Sequence, residues 1–205
     1  MLSFFYKGGP LMYPLLFCSI VMVAFALERA YHYWKAEGSK NFPAELRRLL
    51  LQRQYDAALS AARNETGPLA AIAAVTIENR KLPVCEIEAA VSLAGSLELK
   101  RLNKNLHILE LIGRIAPLIG LFGTVLGMVE AFRGLADMKG AVNPSLLAGG
   151  IWEALITTVG GLAVAIPALV VHHFCEDNVS GWAFRMKTLG NEWIKLLEAS
   201  GHDPV

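Results

Sequence analysis

The sequence predicts an all-α, polytopic membrane protein with three transmembrane helices, the second extended into the cytoplasm, plus a helical cytoplasmic region. Three observations carry that prediction. Of 205 residues, 54% are hydrophobic and only 18% charged, and the mean hydropathy is +0.42, which is too apolar for an ordinary soluble domain. Three apolar stretches come close to or exceed the ~20 residues that cross a hydrocarbon core of ~30 Å. Finally, strand-like alternation is absent, so the apolar stretches read as helices. The net charge of +1 points to neither nucleic acid nor an acidic partner.

The first apolar stretch runs from Leu11 to Leu27. Glu28 and Arg29 close it, and Tyr31, Tyr33 and Trp34 form an interfacial aromatic belt. Ala24-Phe25-Ala26 resembles a signal-peptide cleavage site. The run is longer than a usual signal core, however, and more basic residues follow it than precede it, so a retained anchor is expected.

The region that follows reads as short helices punctuated by Pro and Gly. Pro43 opens a helix through Leu46, Leu49 and Leu50, with Arg47, Arg48 and Arg53 solvated. Tyr55 to Ala62 continues an Ala/Leu pattern until Asn64-Glu65-Thr66-Gly67-Pro68 breaks it, and Leu69 to Ile77 forms a further helix ending near Lys81-Leu82-Pro83. From Val84 no strong breaker occurs before Pro117, and Ile87, Val91, Ala94, Leu97, Leu102, Leu106 and Leu109 keep roughly helical spacing. The expectation is one long helix that rises from the cytoplasm and becomes the second span, from Ile115 to Phe132. No Gly-rich phosphate loop is evident, so neither a nucleotide nor any other cofactor is expected.

The third stretch, Leu146 to Phe174, contains a single charged residue, Glu153. A charge at the bilayer centre costs roughly 2.5–3.5 kcal/mol on insertion scales, so such residues face a bundle interior, a partner or an ion path. Thr157 lies one turn from Glu153 on the same side, and Thr158 about 140° round the helix. Two readings stay open for Glu153: a neutral carboxyl bonded to an adjacent helix, or a group of an ion path. Gly113, Pro117, Gly120, Thr124 and Gly127 recur every three or four positions along the second span, and Gly149, Gly150, Ala154, Gly160, Gly161, Ala163 and Ala165 enrich the third. Small residues let helix backbones approach closely, and Thr hydroxyls bond across the interface. Pro117 and Pro167 each free a backbone carbonyl one turn earlier, as a hinge or as a simple bend.

His172, His173, Cys175, Glu176 and Asp177 invite a metal reading, but adjacent helical residues diverge by about 100° and no ligand pair repeats at helical spacing, so no metal is expected. Cys18, Cys85 and Cys175 are expected to be reduced thiols. No nucleophile–base pair emerges, which disfavours an enzyme.

Lys and Arg near the span ends set the orientation. Arg29, Lys35 and Lys40 follow the first stretch, Lys100, Arg101, Lys104 and Arg114 precede the second, and Arg185 and Lys187 follow the third, against Lys7, Arg133 and Lys139 on the other side. The N-terminus is therefore expected outside the cytoplasm and the C-terminus inside. The chain divides into residues 1–34 (periplasmic N-terminus and first span), 35–106 (helical cytoplasmic region), 107–174 (second and third spans) and 175–205 (cytoplasmic C-terminal helix).

IAPLIGLFGTVLGMVEAF at Ile115–Phe132, followed by LAGGIWEALITTVGGLAVAIPALV at Leu147–Val170, resembles the MotA/TolQ/ExbB proton-channel family. The opening GGPLMYPLLFCSIVMVAFALERAYHYW is most similar to the ExbB type. The resemblance implies a three-span subunit of a bacterial inner-membrane motor. It would form a homopentamer around a dimer of single-span partners of the ExbD/TolR type and energise a TonB-like protein in the lipid bilayer. It also implies that Thr124, Glu153 and Thr158 fall on polar pore positions, with Thr157 beside them, and that Pro117 and Pro167 match the family's membrane prolines. Three spans instead of four disfavour a flagellar stator. A TolQ-like subunit of an envelope-maintenance system and a non-conducting membrane scaffold are the alternatives. Hydroxyl oxygens suit protons or sodium alike, so the ion stays open between them.

Overall fold

The computed structural model describes residues 8–39, 41–136 and 144–201, and they form seven helices with no strand among them. In chain order these are α1 (Met12–Ala36), α2 (Phe42–Leu51), α3 (Tyr55–Asn64), α4 (Pro68–Glu78), α5 (Val84–Leu102), α6 (Leu106–Ala136) and α7 (Pro144–Gly201). The all-α fold with three helices long and apolar enough to cross a membrane agrees with the sequence reading; the stretches are Met12–Trp34, Leu106–Gly134 and Ala148–Ala199. Lys7, Lys40 and Lys139, used above for orientation, lie outside the described residues.

The chain splits into two compact units, Met1–Glu28 with Asn105–Phe174, and Arg29–Lys104 with Cys175–Val205. The first holds the apolar parts of α1, α6 and α7. Large apolar side chains such as Phe17, Leu118, Leu121 and Val159 stand exposed on it, as lipid contact requires. At 58 residues, α7 would be about 87 Å long at 1.5 Å per residue. That is nearly three times a ~30 Å hydrocarbon core, so only part of it can be in lipid.

The second unit packs like a water-soluble helical domain. Leu46 and Leu50 of α2, Ile72 and Ile77 of α4 and Trp193 of α7 are fully buried. Phe42 meets Trp193 edge-on, with ring centroids 6.5 Å apart at 80°, a favoured aromatic geometry. The helix boundaries follow the punctuation: Pro43 and Pro68 sit in first turns, where a missing N–H costs nothing.

The structure corrects one expectation. The helix beginning at Val84 does not run on into the second span: α5 ends at Leu102 and α6 starts at Leu106. Asn105 adopts φ +65°, the left-handed conformation that ends helices. Asn tolerates it better than any residue except Gly. The carbonyl of Leu102, orphaned by the helix end, accepts bonds from Arg29 Nη1 at 3.4 Å and Tyr33 Oη at 3.3 Å. Arg29 is thus buried and caps α5, beyond the flanking role that its position alone suggested. The second spanning helix still extends nine residues before its apolar core, from Leu106 to Arg114.

Candidate functional site

The first unit is organised by a seam of small residues between α6 and α7. A Cβ on Gly113 would lie 2.5 Å from Leu169 Cδ2, on Gly161 2.6 Å from the Ala116 carbonyl oxygen, on Gly127 2.9 Å from Ala154 Cβ, and on Gly150 2.7 Å from Ala131 Cβ. At the centre, a Cβ on Gly120 would sit 2.9 Å from the Thr157 carbonyl oxygen and 3.0 Å from Thr158 Cα, and one on Gly123 would collide with the Thr157 side chain. These distances are below ordinary van der Waals contact, so the helices reach this separation only because side chains are missing. In lipid, where apolar burial gives no driving force between helices, such backbone approach is what holds a pair together.

The seam also revises which residues share a face. Ala116, Gly120, Gly123, Gly127 and Ala131 face α7, and Ala116 is fully buried. Pro117 and Thr124, each one residue further on, lie on the flank and are only half-buried. The sequence reading had grouped them with the glycines and passed over Ala116, Gly123 and Ala131. Both sets keep three- and four-residue spacing, so that signal alone admits either one and packing against α7 makes the choice.

The seam carries the polar groups. Thr158 Oγ1 donates across it to the Gly120 carbonyl at 3.0 Å. In the α6 ladder that same carbonyl accepts the amide of Thr124, four residues on. Thr124 Oγ1 donates to the Leu121 carbonyl at 2.6 Å. It opens on a shallow groove of about 480 Å³ lined with Val125, Met128, Val129 and Phe132. Thr157 is buried at 2% exposure; its hydroxyl donates to the Ala154 carbonyl at 2.6 Å and its side chain packs on Gly123. A hydroxyl that donates one bond keeps two lone pairs, so Thr124 and Thr158 can still accept a bond from water or from a protonated carboxyl.

The structure therefore links Thr124, Thr157 and Thr158 around the Gly120–Gly123 turn. Glu153 stands apart from that step. It is exposed, one turn before Thr157, with its carboxylate against the backbone of Gly9 ahead of α1. Pro117 and Pro167 lie inside α6 and α7, which remain helical through both. Cys18, Cys85 and Cys175 are free thiols. Among the described residues, no three His, Cys, Asp or Glu side chains converge as a metal site.

Comparison with known proteins bears directly on this seam. The model of the MotA/TolQ/ExbB proton channel family matches residues 64–188, which include all of α6 and the spanning part of α7. The biopolymer transport protein exbB1 of Vibrio cholerae is 49% identical over 67 residues, 33% of this chain and 29% of that protein. The putative biopolymer transport protein ExbB-like 1 of Synechocystis is 35% identical over 220 aligned positions, covering 100% of this chain and 82% of the relative. The Tol-Pal system protein TolQ of Pseudomonas aeruginosa is 35% identical over 116 residues, 57% of this chain and 50% of that protein. With three apolar helices, a Thr–Gly seam at the second and third, and a family match over both, the chain belongs to the MotA/TolQ/ExbB proton channel family.

Proposed function

We propose that the chain is the ion-conducting subunit of an inner-membrane motor that uses the proton motive force, together with an ExbD-like single-span partner, to energise TonB-dependent outer-membrane transport. The observation that carries this reading is the polar step inside an otherwise apolar helix pair: the Thr158 hydroxyl bonded to Gly120 beside Thr124. Thr hydroxyls also bond helices together in lipid; what a seam used for packing alone does not require is a second hydroxyl, Thr124, opening on a groove with acceptor capacity to spare. In the assembled ring, a homopentamer around a partner dimer, Thr124 and Thr158 line the path and accept bonds from water or the partner's carboxyl. Thr157, buried on Gly123, holds the seam in register, and Glu153 tunes the field at the outer end or relays protons. The N-terminus faces the periplasm and the C-terminus the cytoplasm. A membrane potential supplies ~2.3 kcal/mol per elementary charge per 100 mV, enough to drive a conformational step as each proton passes.

The relatives named as ExbB-type biopolymer transport proteins support an ExbB-like role. The TolQ relative, matched over 57% of this chain, supports envelope maintenance as the second reading. The test is proton flux into vesicles that hold the chain with its single-span partner under an imposed pH gradient. Thr158→Val removes the hydroxyl and keeps the shape, and it should lower flux at least tenfold, about 1.4 kcal/mol of barrier. Equal flux would make the chain a scaffold, and flux driven by a sodium gradient alone would change the ion.

A further inference from the structure

The N-terminal turn that precedes α1 is unusual in what it touches. Gly9 has φ +67°, in the left-handed region that favours glycine. A Cβ there would lie 2.8 Å from Glu153 Oε1 and 3.9 Å from its Cδ. The turn is fixed on its other side: a Cβ on Gly8 would meet Met12 Cγ at 2.6 Å and Ile156 Cγ2 at 3.1 Å. Met12 N and Tyr13 N donate to the carbonyls of Gly9 and Pro10 at 3.2 and 3.3 Å. A turn later α1 sits on α7 through Leu15, 2% exposed; Leu15 Cδ1 and Met12 Sδ would lie 3.5 and 3.3 Å from a Cβ on Gly160. At position 9, then, the backbone is held, and among the described residues beyond its chain neighbours the Glu153 carboxylate is the only group within contact range of an added Cβ. It is also the far end of a flexible side chain, so it would be the part that yields.

We propose that Gly9 is a positioning residue for Glu153: the bare turn ahead of α1 seats against the carboxylate and sets where it points. The proposal rests on the reading of Glu153 as a group of the ion path. A side chain at position 9 rotates the carboxylate away without unseating α1, and shortening the acid by one methylene makes room again. Access and transport should therefore change together at this pair, and α1–α7 packing should not.

The experiment uses the full chain purified with its single-span partner and reconstituted in vesicles. Two signals are read: pH-gradient-driven flux, and the rate at which dicyclohexylcarbodiimide, a membrane-soluble reagent for carboxyl groups, modifies Glu153 by mass spectrometry, with Glu130 as internal reference. Gly9→Ala should lower flux about ten- to a hundredfold, the upper figure being the cost of a ~1 Å misplacement of a working group, and should speed modification of Glu153 relative to Glu130. Gly9→Asn, which accepts the left-handed backbone, should do the same and separates side-chain bulk from strain. Glu153→Asp in the Gly9→Ala background should recover flux towards that of Glu153→Asp alone. Normal flux in Gly9→Ala while Glu153→Gln is inactive would overturn the positioning role and leave the ion path standing. Loss of flux in Gly9→Ala with unchanged labelling and no recovery by Glu153→Asp would also overturn it. Full flux in Glu153→Gln would instead remove Glu153 from the ion path.

Discussion

The two units of this chain are both built from helices alone, yet they are held together by opposite means. In the unit of α2–α5 and the C-terminal part of α7, large side chains fill the interior: Trp193, Leu46, Leu50, Ile72 and Ile77 are all buried to 1% exposure or less. In the unit of α1, α6 and the apolar part of α7, the contact between α6 and α7 is nearly side-chain-free, and Gly120, Gly123, Gly127 and Gly161 put one backbone on the other. The difference follows from the surrounding solvent. Water rewards burial of apolar area, at about 25 cal/mol per Å², whereas lipid tails are as apolar as leucine and reward only close fit and hydrogen bonding. A seam that excludes side chains also leaves backbone carbonyls within reach, and the Gly120 carbonyl is where the Thr158 hydroxyl binds.

The comparison breaks most easily at its tightest points. Gly123→Leu places a branched side chain where the Thr157 side chain already is and should abolish both the α6–α7 pairing and flux, read as loss of the assembled complex on native gels. Assembly at wild-type level would show that the seam is not the contact described. Trp193→Ala empties the core of the other unit and should cost about 3–5 kcal/mol, seen as early protease cleavage of that unit, while the α6–α7 seam survives. If the seam also failed, the two units would not be independent in stability.

Much of this was legible in the sequence, for stated physical reasons. Pro43, Pro68 and the Asn64–Gly67 run placed the short helices because proline and glycine act locally. The small-residue enrichment announced close packing. The α5–α6 break was not legible, because Asn103 and Asn105 are weak breakers, and the left-handed turn at Asn105 goes with capping of the Leu102 carbonyl by Arg29 and Tyr33 from a distant part of the chain. Nor was the offset of Thr124 from the seam: a stripe read at three-to-four spacing admits either Gly123 or Thr124 at its centre, and only packing against Thr157 chooses. The proximity of Gly9 to Glu153 joins residues 144 positions apart and left no periodic trace.

Smaller effects sharpen the contrast. Interhelical hydrogen bonds in membranes average about 0.6 kcal/mol, so Thr158→Val should barely change complex stability even as it stops transport; a large fall in thermal stability would make the hydroxyl structural. In the other unit, Arg47 pairs with Glu192 at 3.1 Å on a solvent-exposed surface. Arg47→Ala should shift stability by less than about 1 kcal/mol, measured by chemical denaturation, and by still less at high salt.

The most direct test of the polar step sets Thr158→Ser beside Thr158→Val in the same vesicles, with equal amounts of assembled complex. Serine keeps the hydroxyl and loses the methyl; valine does the reverse. The account predicts proton flux retained in Thr158→Ser and lost in Thr158→Val. Flux retained in Thr158→Val, or lost equally in both, would contradict a hydroxyl-lined path at the α6–α7 seam.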